Sequence, residues 1–503
     1  GSDVLGLSGS LAYTDLTIAQ GTGSNSSDTI ISAGSEYLTI LTGINASNVN
    51  YFDFASMATG NQTLSGTSGD DVLIGAAGVD TVTTNTGTDV ILTHGGNDAI
   101  TVNGAGNKTI DGGSGTDSLT ISVSGNSNLG SYAITTSGGY LVLTDASSNA
   151  IQFKNTESLT VGSITYIENT THDTFWNATE KVLYMYDGGG WGGTGSLSGF
   201  SASADFSVVG STGVDSMNLN IDRSSALTGD ITIAMGDGND ELNSAKFKNG
   251  DSIDMGAGND FIGLMVTGSN GTPSYASLNM AKLDGGAGID TLDFQNMGSQ
   301  GSTELTLTGG GATNFENITG TGGADIIRGD AGNNIIDGRN GADTIYGGSG
   351  NDGLNADRSI NSLTSDSSND NLYGQAGDDV LRGSAGDNIL DGGTGTDLIS
   401  TGNGSDTIVL RVGDGGSTLA DADTIGQIQS NPGGDVWVAD FTDGSDFLGL
   451  DGGLTYTDLT IAQGTGSNSN DTIIKVGSEY LAILSGIDVS VLSEADFTPV
   501  DIA

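Results

Sequence analysis

The sequence predicts an all-β chain in which repeated segments coil into a parallel β-roll, a β-solenoid with two short strands in each coil. Three observations carry this prediction. The 503 residues include 85 glycines, apolar residues still make up 35% of the chain, and a nine-residue pattern of Gly, Asp and one central apolar residue recurs in blocks. A fixed short period is typical of solenoids, so we expect regular structure rather than glycine-rich disorder.

The acidic charge narrows the classes of partner. Asp and Glu number 62 against 13 Lys and Arg, which gives a formal net charge of -49. A surface of this sign excludes binding to nucleic acid and to anionic lipid through its field. The acid is either a solvated coat or a set of carboxylates placed to hold cations. Because most of it is Asp that follows Gly at fixed intervals, cations are favoured.

The chain lacks the residues that a disulfide, a thiolate metal site or a membrane-spanning helix would need. The chain contains no cysteine, which rules out a disulfide framework and thiolate metal sites. No apolar run approaches the roughly 20 residues that a membrane-spanning helix needs.

The period divides the chain into blocks. Residues 320–409 keep one frame, with rows such as GTGGADIIR and GGTGTDLIS. Residues 66–120 form a second block, and residues 210–319 a third that insertions interrupt. Two degenerate rows, Ala356 to Tyr373, keep the phase, so we expect the coil to continue through them. The predicted domains are a β module (1–65), β-roll block 1 (66–120), a non-repeat β insert (121–209), irregular β-roll block 2 (210–319), β-roll block 3 (320–411), and a second β module with a secretion-signal-like end (412–503).

The residues of one row follow from simple physical chemistry. Four small residues form a tight turn that needs unusual backbone angles. The sixth residue is Asp, whose short carboxylate can point back into the turn, and the last three form a strand in which only the middle residue faces inward. The predicted core residues are Leu73, Val82, Ile91, Ile100, Leu119, Ile327, Ile336, Ile345, Leu381, Leu390, Ile399 and Ile408.

Stacked rows bring carboxylates together. Successive turns on one edge would lie about 4.8 Å apart, where two bare carboxylates repel by about 3 kcal/mol at an effective dielectric constant of about 20. A divalent cation between the turns reverses the sign of this term. Carboxylate and carbonyl oxygens suit Ca²⁺ better than Mg²⁺. With no Cys and only His94 and His172, a zinc or copper site is disfavoured.

Rows such as GGSGTDSLT at Gly112 and GGAGIDTLD at Gly285 resemble the GGxGxDxUx motif of the repeats-in-toxin, or haemolysin-type, calcium-binding family. The resemblance implies multiple bound Ca²⁺ ions, with folding after type I secretion. One ion for each stacked pair of turns would give on the order of ten to fifteen ions. The resemblance also implies metal ligands at the sixth positions, which are Asp71, Asp80, Asp89, Asp98, Asp117, Asp215, Asp240, Asp260, Asp290, Asp325, Asp343, Asp352, Asp370, Asp379, Asp397 and Asp406.

Three rows depart from the motif at the sixth position, where Lys108, Asn334 and Asn388 stand. An asparagine can still supply an oxygen, whereas Lys108 argues against a metal ion at its half-site. The alternative interpretation of the whole set is that each Asp simply caps its own turn.

The two ends of the chain are near copies of each other, residues 1–54 and 444–497. Alternating apolar and polar residues with Gly, Asn and Ser turns predict a small antiparallel β unit for each copy. The resemblance places such a module after the last repeats, before a C-terminal secretion signal. Because the first copy stands elsewhere, we expect the chain to be a processed or partial product of a longer tandem protein.

Residues 121–209 lack the period and include an aromatic segment, 172–191. We expect its aromatic residues to form the core of a small inserted β domain, with a sugar-stacking or partner-docking surface as the alternative. No catalytic role is expected for His172 beside Asp173. The aromatic residues are Phe175, Trp176, Tyr184, Tyr186 and Trp191.

The sequence favours a structural function over catalysis. It contains no HExxH and no GxSxG motif, and helical periodicity is nearly absent, so we expect no enzyme. The favoured function is a secreted, calcium-binding structural protein of the bacterial cell surface or extracellular matrix, self-associating into an S-layer, sheath or fibre. The alternatives are a calcium-dependent adhesin that binds a cell-surface glycan or partner through residues 172–191, and a repeat-bearing fragment of a secreted enzyme.

Overall fold

The computed structural model of the chain is all-β and contains no α-helix among the residues that it describes. These are residues 5–7, 11–56, 60–169, 174–177, 181–185, 190–191, 205–218, 229–245, 250–265, 283–296, 304–307, 312–357, 367–431, 434–442 and 444–502. Short 3-10 turns are the only helical elements there, at Tyr13–Asp15, Gly23–Asn25, Ala46–Asn48, Tyr51–Asp53, Leu129–Ser131, Leu419–Asp421, Tyr456–Asp458, Gly466–Asn468, Val489–Val491 and Glu494–Asp496. Among these described residues, no helix has the length and hydropathy to cross a membrane.

The chain forms two compact units, residues 1–191 with 208–215, and residues 192–207 with 216–503. In the first unit, two parallel ladders carry the repeats. Ladder 1 consists of Thr63–Ser65, Thr81–Thr84, Ala99–Val102, Ser118–Ile121 and Ser158–Val161. Ladder 2 consists of Val72–Ile74, Asp89–Leu92, Lys108–Asp111 and Ala150–Lys154.

Antiparallel strands complete the first unit. Residues after the repeats extend both ladders, with Ile164–Asn169, Thr174–Asn177 and Val182–Met185 beside ladder 1, and Tyr140–Asp145 and Tyr132–Ser137 beside ladder 2. The N-terminal copy, for which the sequence predicts a small antiparallel β unit, forms a three-stranded antiparallel sheet, and its Leu5–Leu7 pairs in parallel with Phe54–Ser56. The sheet strands are Leu16–Gln20, Thr29–Ala33 and Glu36–Leu41.

The second unit contains the longer coil. Ladder 3 consists of Ser216–Asn218, Glu241–Ala245, Phe261–Met265, Thr291–Asn296, Asn317–Thr319, Ile335–Asp337, Gly353–Asn355, Val380–Arg382, Leu398–Ser400, Asp423–Ile425 and Glu479–Leu484. Ladder 4 consists of Glu304–Thr306, Ile326–Arg328, Thr344–Ser349, Asn371–Ala376, Ile389–Thr394, Thr407–Leu410, Phe447–Leu450 and Phe497–Pro499. Ladder 5 consists of Ile231–Ala234, Ser252–Asp254 and Leu283–Asp284.

The C-terminal copy closes this coil. Its antiparallel strands Leu459–Gln463 and Thr472–Val476 follow Glu479–Leu484, which is itself the last parallel member of ladder 3. Gln427–Asn431 and Gly434–Val438 form a separate hairpin. The remaining short strands are Gly190–Trp191 and Phe206–Val209.

The predicted two-row coil is confirmed by the pairing, because Ile318 lies beside Ile336, two rows further on. The predicted core residues are 0–1% exposed, except Leu73, which is half-buried in the first row of its ladder. Burial of one aliphatic side chain in each row contributes about 1.5–3 kcal/mol per residue. The stacked middle residues therefore form the continuous core of each coil.

The degenerate segment differs from the expectation of an uninterrupted coil. Ile345 pairs with Leu372 and Leu354 with Leu381, which are 27 positions apart, as are the hydrogen-bonded Asp343 and Asp370. Elsewhere in block 3 the spacing is 18. One nine-residue row therefore adds no strand among the described residues. Because the extra length equals one full row, the later rows keep the nine-residue frame of the earlier ones.

Candidate cation sites at the turns

The sixth-position side chains form hydrogen-bonded columns along the edges of the coils. The backbone N–H of Asp352 donates to Oδ1 of Asp379 at 2.7 Å, and the N–H of Asp379 donates to Oδ1 of Asp397 at 2.8 Å. In the first unit, Asp80 donates in the same way to Asp98, and Asp98 to Asp117. One carboxylate oxygen of each pair is thus engaged by the neighbouring turn, which leaves the second oxygen, Oδ2, to distinguish the rows.

In four rows Oδ2 caps the turn of its own row. The donor is the backbone N–H of the second residue, at 2.6–2.8 Å. These rows are the two first rows of block 1 and the first rows of blocks 2 and 3. The pairs are Asp71 with Thr67, Asp80 with Ala76, Asp215 with Ser211, and Asp325 with Thr321.

In eight other rows Oδ2 is buried and has no hydrogen-bond partner. The residues are Asp98, Asp117, Asp260, Asp290, Asp352, Asp379, Asp397 and Asp406. In each of these rows the second residue has a positive φ, as in Gly393 (φ 90°) before Asp397 and Gln375 (φ 76°) before Asp379. This left-handed conformation turns the second N–H away from the carboxylate. A buried acceptor without a donor costs about 1–3 kcal/mol, more when charged, so these turns are incomplete without a positive ion.

The remaining predicted ligands are placed as follows. Asp240 and Asp343 also follow a left-handed second residue, Gly236 and Arg339. Asp370 is 2% exposed and accepts the N–H of Asp343. Asp89 is paired with a lysine instead.

That lysine, Lys108, shows what surrounds a cation between two turns. Its Nζ lies 3.3 Å from Oδ2 of Asp89 and donates to the carbonyl oxygens of Gly87 (2.6 Å), Ala105 (3.3 Å) and Gly106 (3.3 Å). One carboxylate and three carbonyl oxygens thus surround a positive charge. Among the described residues no three acidic or histidine side chains converge, so the turn carbonyls must supply the other ligands. That donor set fits Ca²⁺.

The carbonyl oxygens line up because the fourth residue of these rows is glycine. Gly395 has φ 141°, and a Cβ there would overlap the carbonyl oxygen of Gly377 in the turn below. Any side chain at this position would therefore separate the two turns and remove the carbonyl from the cation position.

The two asparagine rows are satisfied without a cation. Nδ2 of Asn388 donates to the carbonyl oxygens of Gly383 (2.9 Å) and Gly386 (3.2 Å), and Nδ2 of Asn334 donates to that of Phe315 (3.2 Å). The amide nitrogens therefore point toward backbone carbonyls. The oxygen of Asn388 accepts the column hydrogen bond from the N–H of Asp370, whereas the oxygen of Asn334 accepts the N–H of Asp330 and caps its own turn.

We call the eight carboxyl groups whose buried Oδ2 has no hydrogen-bond partner open carboxyls. Burial raises the pKa of six of them to about 6 or 7. The pKa reaches about 7 for Asp352, Asp397 and Asp406, and about 6 for Asp117, Asp290 and Asp379. Desolvation is the largest cause in each case, because a charged group loses water in the turn. A neighbouring carboxylate raises the pKa further, as Asp379 does for both Asp352 and Asp397. Without a cation, these groups resist ionisation near neutral pH.

Four carboxylates that the sequence analysis missed terminate the columns. Glu157 accepts the N–H of Asp117 at 2.6 Å, and Glu316 accepts that of Asp290 at 2.7 Å. Asp423 and Asp446 accept the N–H groups of Asp397 and Asp406. Glu316 is the sixth residue of 311–319, the row that precedes Gly320 in the frame of block 3, with Glu in place of Asp, whereas the other three lie outside the frames of the repeat blocks.

A signal for the two glutamates does exist in the sequence. Glu157 and Glu316 stand two residues after Asn155 and Asn314, and both asparagines have positive φ, 53° and 55°. Nδ2 of each donates at 2.7 Å to a strand-end aspartate, Asp111 or Asp284. The shared spacing, Asn-x-Glu-x-Leu/Ile-Thr, is visible only when the insert is compared with the end of block 2.

The aromatic segment lies only partly within the described residues. Tyr184 is 5% exposed and packs edge-on against Tyr166 at 5.7 Å. It thus belongs to the core of the first unit, in one cluster with coil residues such as Ile100 and Leu119, and the separate inserted β domain stays a prediction. His172, Asp173 and Tyr186 lie outside the described residues, and so do the side chains of Phe175, Trp176 and Trp191.

Comparison with known proteins identifies the repeats. The family model described as RTX calcium-binding nonapeptide repeat (4 copies) matches residues 58–91, 74–103, 319–354, 357–390, 364–399, 373–408 and 382–415. No curated protein matches the chain. Among solved structures, the extracellular lipase LipA from Serratia marcescens is similar at 15% identity and a TM-score of 0.18. That alignment covers 86% of this chain and 40% of the lipase chain.

Proposed function

Because this chain carries RTX calcium-binding nonapeptide repeats, we propose that it is a secreted structural protein of the bacterial cell surface or extracellular matrix, folded and assembled by Ca²⁺. The repeats hold Ca²⁺ between successive turns. Asp352, Asp379 and Asp397 supply one open carboxylate oxygen each along ladder 3, and turn carbonyls supply the rest.

The single observation that supports this proposal is the set of eight buried Oδ2 atoms without a donor. A protein that used its aspartates only to cap turns would satisfy them internally, as Asp80 does with the N–H of Ala76. At neutral pH the coil is stable only when a cation neutralises the open carboxyls. The chain therefore binds the ions and folds in the same step. Such coupling keeps a chain unfolded where calcium is scarce and folds it outside the cell.

A calcium titration tests the coupling. The β signal in circular dichroism should rise cooperatively with Ca²⁺ at neutral pH and disappear in excess EGTA. Sedimentation in the same samples should show an expanded chain becoming compact. A chain that is fully β-structured in EGTA would refute the proposal.

Assembly and the absence of catalysis are further parts of the proposal. We propose that folded chains self-associate into a layer or fibre, and that the carboxylates serve structure rather than chemistry. Electron microscopy of the calcium-bound protein, with a chelator-treated control, should show ordered assemblies only in calcium. Hydrolysis of ester, glycoside or peptide substrates by the calcium-bound chain, abolished by a single aspartate substitution, would contradict the structural role.

A further inference from the structure

The two terminal copies have nearly the same sequence but bury different surfaces. In the C-terminal copy, Leu481 is 2% exposed and Ile487 is 9% exposed. Their equivalents in the N-terminal copy, Leu38 and Ile44, are 41% and 43% exposed. The same apolar residues are therefore a core in one copy and a surface in the other.

The difference comes from what each copy pairs with. Glu479–Leu484 pairs in parallel with Asp423–Ile425, with Thr424 opposite Ile483 and Ile425 opposite Leu484. Its equivalent, Glu36–Leu41, is the last strand of its sheet and pairs with Thr29–Ala33 alone among the described residues.

A second strand of each copy shows the same difference, since it pairs with the coil only in the C-terminal copy. Phe447–Leu450 lies between Thr407–Leu410 of the coil and Phe497–Pro499. Its N-terminal equivalent, Leu5–Leu7, pairs with Phe54–Ser56 in a sheet of two strands. In the C-terminal copy, two strands pair with the end of the coil, and we call this contact the C-terminal seat. The equivalent strands of the N-terminal copy are both at sheet edges.

Polar contacts at the C-terminal seat identify the partner's chemistry. Oε1 of Glu479 accepts the backbone N–H of Gly413 at 2.7 Å, and Tyr480 exchanges backbone hydrogen bonds with Gly416. The N-terminal copy retains both residues as Glu36 and Tyr37, although Tyr37 is 77% exposed. A matching partner therefore offers a glycine turn with free N–H groups beside two parallel strand ends.

We propose that the surface formed by Leu5–Leu7 and Glu36–Leu41 docks the last coil of a second calcium-bound β-roll. The coil end that Thr407–Leu410 and Asp423–Ile425 present to the C-terminal copy is the model for that partner. Docking adds both edges to an existing sheet, which satisfies their backbone groups and buries Leu38 and Ile40. The proposal rests on the calcium-dependent folding proposed above, since the partner's coil must be formed.

The test uses a full-length variant, the open-end variant, in which the C-terminal copy no longer covers the end of the coil. The double substitution Leu481→Lys with Leu484→Lys removes two residues that are 2% and 0% exposed, so the C-terminal copy leaves its seat. In calcium, the N-terminal copy of the next molecule should take that seat, and sedimentation at a dilution where the unaltered chain is monomeric should show oligomers of the variant.

Matched substitutions identify the surface. Adding Leu38→Lys and Ile40→Lys to the open-end variant should abolish the oligomers. Adding Val79→Lys should not, although Val79 is 48% exposed and Ile40 is 49% exposed. In a chain without cysteine, Ile40→Cys and Thr424→Cys in the open-end variant should form an intermolecular disulfide, because Ile40 is the equivalent of Ile483.

Circular dichroism in calcium separates the outcomes. If the open-end variant is folded but stays the size of the unaltered chain, or associates equally with Leu38→Lys and Ile40→Lys, the docking proposal is wrong and calcium-dependent folding stands. If the double variant lacks β structure, the single substitution Ile483→Lys opens the same seat more mildly and carries the same test. A chain that no longer responds to calcium at all would instead contradict the proposed function.

Discussion

The ammonium of Lys108 lies 3.3 Å from Oδ2 of Asp89, and neither side chain is exposed to solvent. The lysine enters from the sixth position of the next row on the same edge, where other rows carry Asp. A covalently attached cation therefore neutralises this carboxylate without calcium.

Replacing this lysine should destabilise the first unit even in the absence of metal. Lys108→Met leaves the Asp89 carboxylate buried and unpaired, which should lower the free energy of unfolding by about 3–5 kcal/mol. Urea titration in EGTA, at the highest pH at which the metal-free chain keeps its β signal, measures the change by circular dichroism. Lys154→Met is the control, because its partly exposed pair with Asp111 should contribute no more than about 1 kcal/mol. Equal losses in the two variants would show that Lys108 is not an internal counter-ion.

Stability of the metal-free chain should decrease as the pH rises. Burial raises the pKa of Asp352, Asp397 and Asp406 to about 7 in the folded state, against about 3.9 in an unfolded chain. A raised pKa stabilises the fold at low pH. This contribution is fully present below about pH 4 and is lost as the pH rises from there through about 7, because over that interval the unfolded chain ionises and the folded one does not.

Circular dichroism in EGTA across this interval is the measurement. The β signal should be strongest near about pH 4 and weakest near about pH 8, and calcium affinity should increase over the same range because the ligands must ionise. A metal-free β signal that grows with pH would mean that the open carboxylates are not desolvated.

Open and capped aspartates should differ in their effect on calcium stoichiometry. Asp379→Asn removes an open oxygen, so equilibrium dialysis should count fewer bound ions and the titration should become less cooperative. In EGTA, at the highest pH at which the unaltered chain keeps a β signal, the same variant should be more stable, since an amide avoids the cost of ionising a buried carboxyl. Asn388, whose Nδ2 donates to two turn carbonyls, is the natural precedent.

Asp80→Asn is the matched control. Oδ2 of Asp80 already accepts the N–H of Ala76, so the number of ions should not change. A loss of ions from Asp80→Asn as large as that from Asp379→Asn would remove the distinction between the two kinds of row.

The sequence predicted the coil because its period depends only on local residues. Ile336 and Ile399 could be assigned to the core from one row alone, and both are fully buried. It could not distinguish Asp80 from Asp379, because that difference depends on the φ of the second residue, which Ala76 and Gln375 do not reveal by composition. The 27-residue spacing between Ile345 and Leu372 was hidden for another reason, since its excess over the usual spacing equals one period.

The column-terminal glutamates give the last prediction. Oε2 of Glu316 accepts the N–H of Asp290, whose own Oδ2 is open. Glu316→Ala should lower the unfolding free energy in calcium by about 1.5–3 kcal/mol, the usual contribution of a hydrogen bond to a charged group. Glu304→Ala, in the same unit, is the control, since its 59% exposed carboxylate pairs with Arg328 only on the surface.

Glu316→Gln separates two roles for the same residue. The amide oxygen can still accept the N–H of Asp290, so a residue that only ends the column should tolerate the change. If the carboxylate also faces the last cation, Glu316→Gln should remove one bound ion while the free energy of unfolding in EGTA stays the same or increases. Because Glu316 contributes to the raised pKa of Asp290, the two charges are close enough to share a cation. We therefore expect the loss of one ion from Glu316→Gln, measured by equilibrium dialysis, and an unchanged count would limit Glu316 to capping.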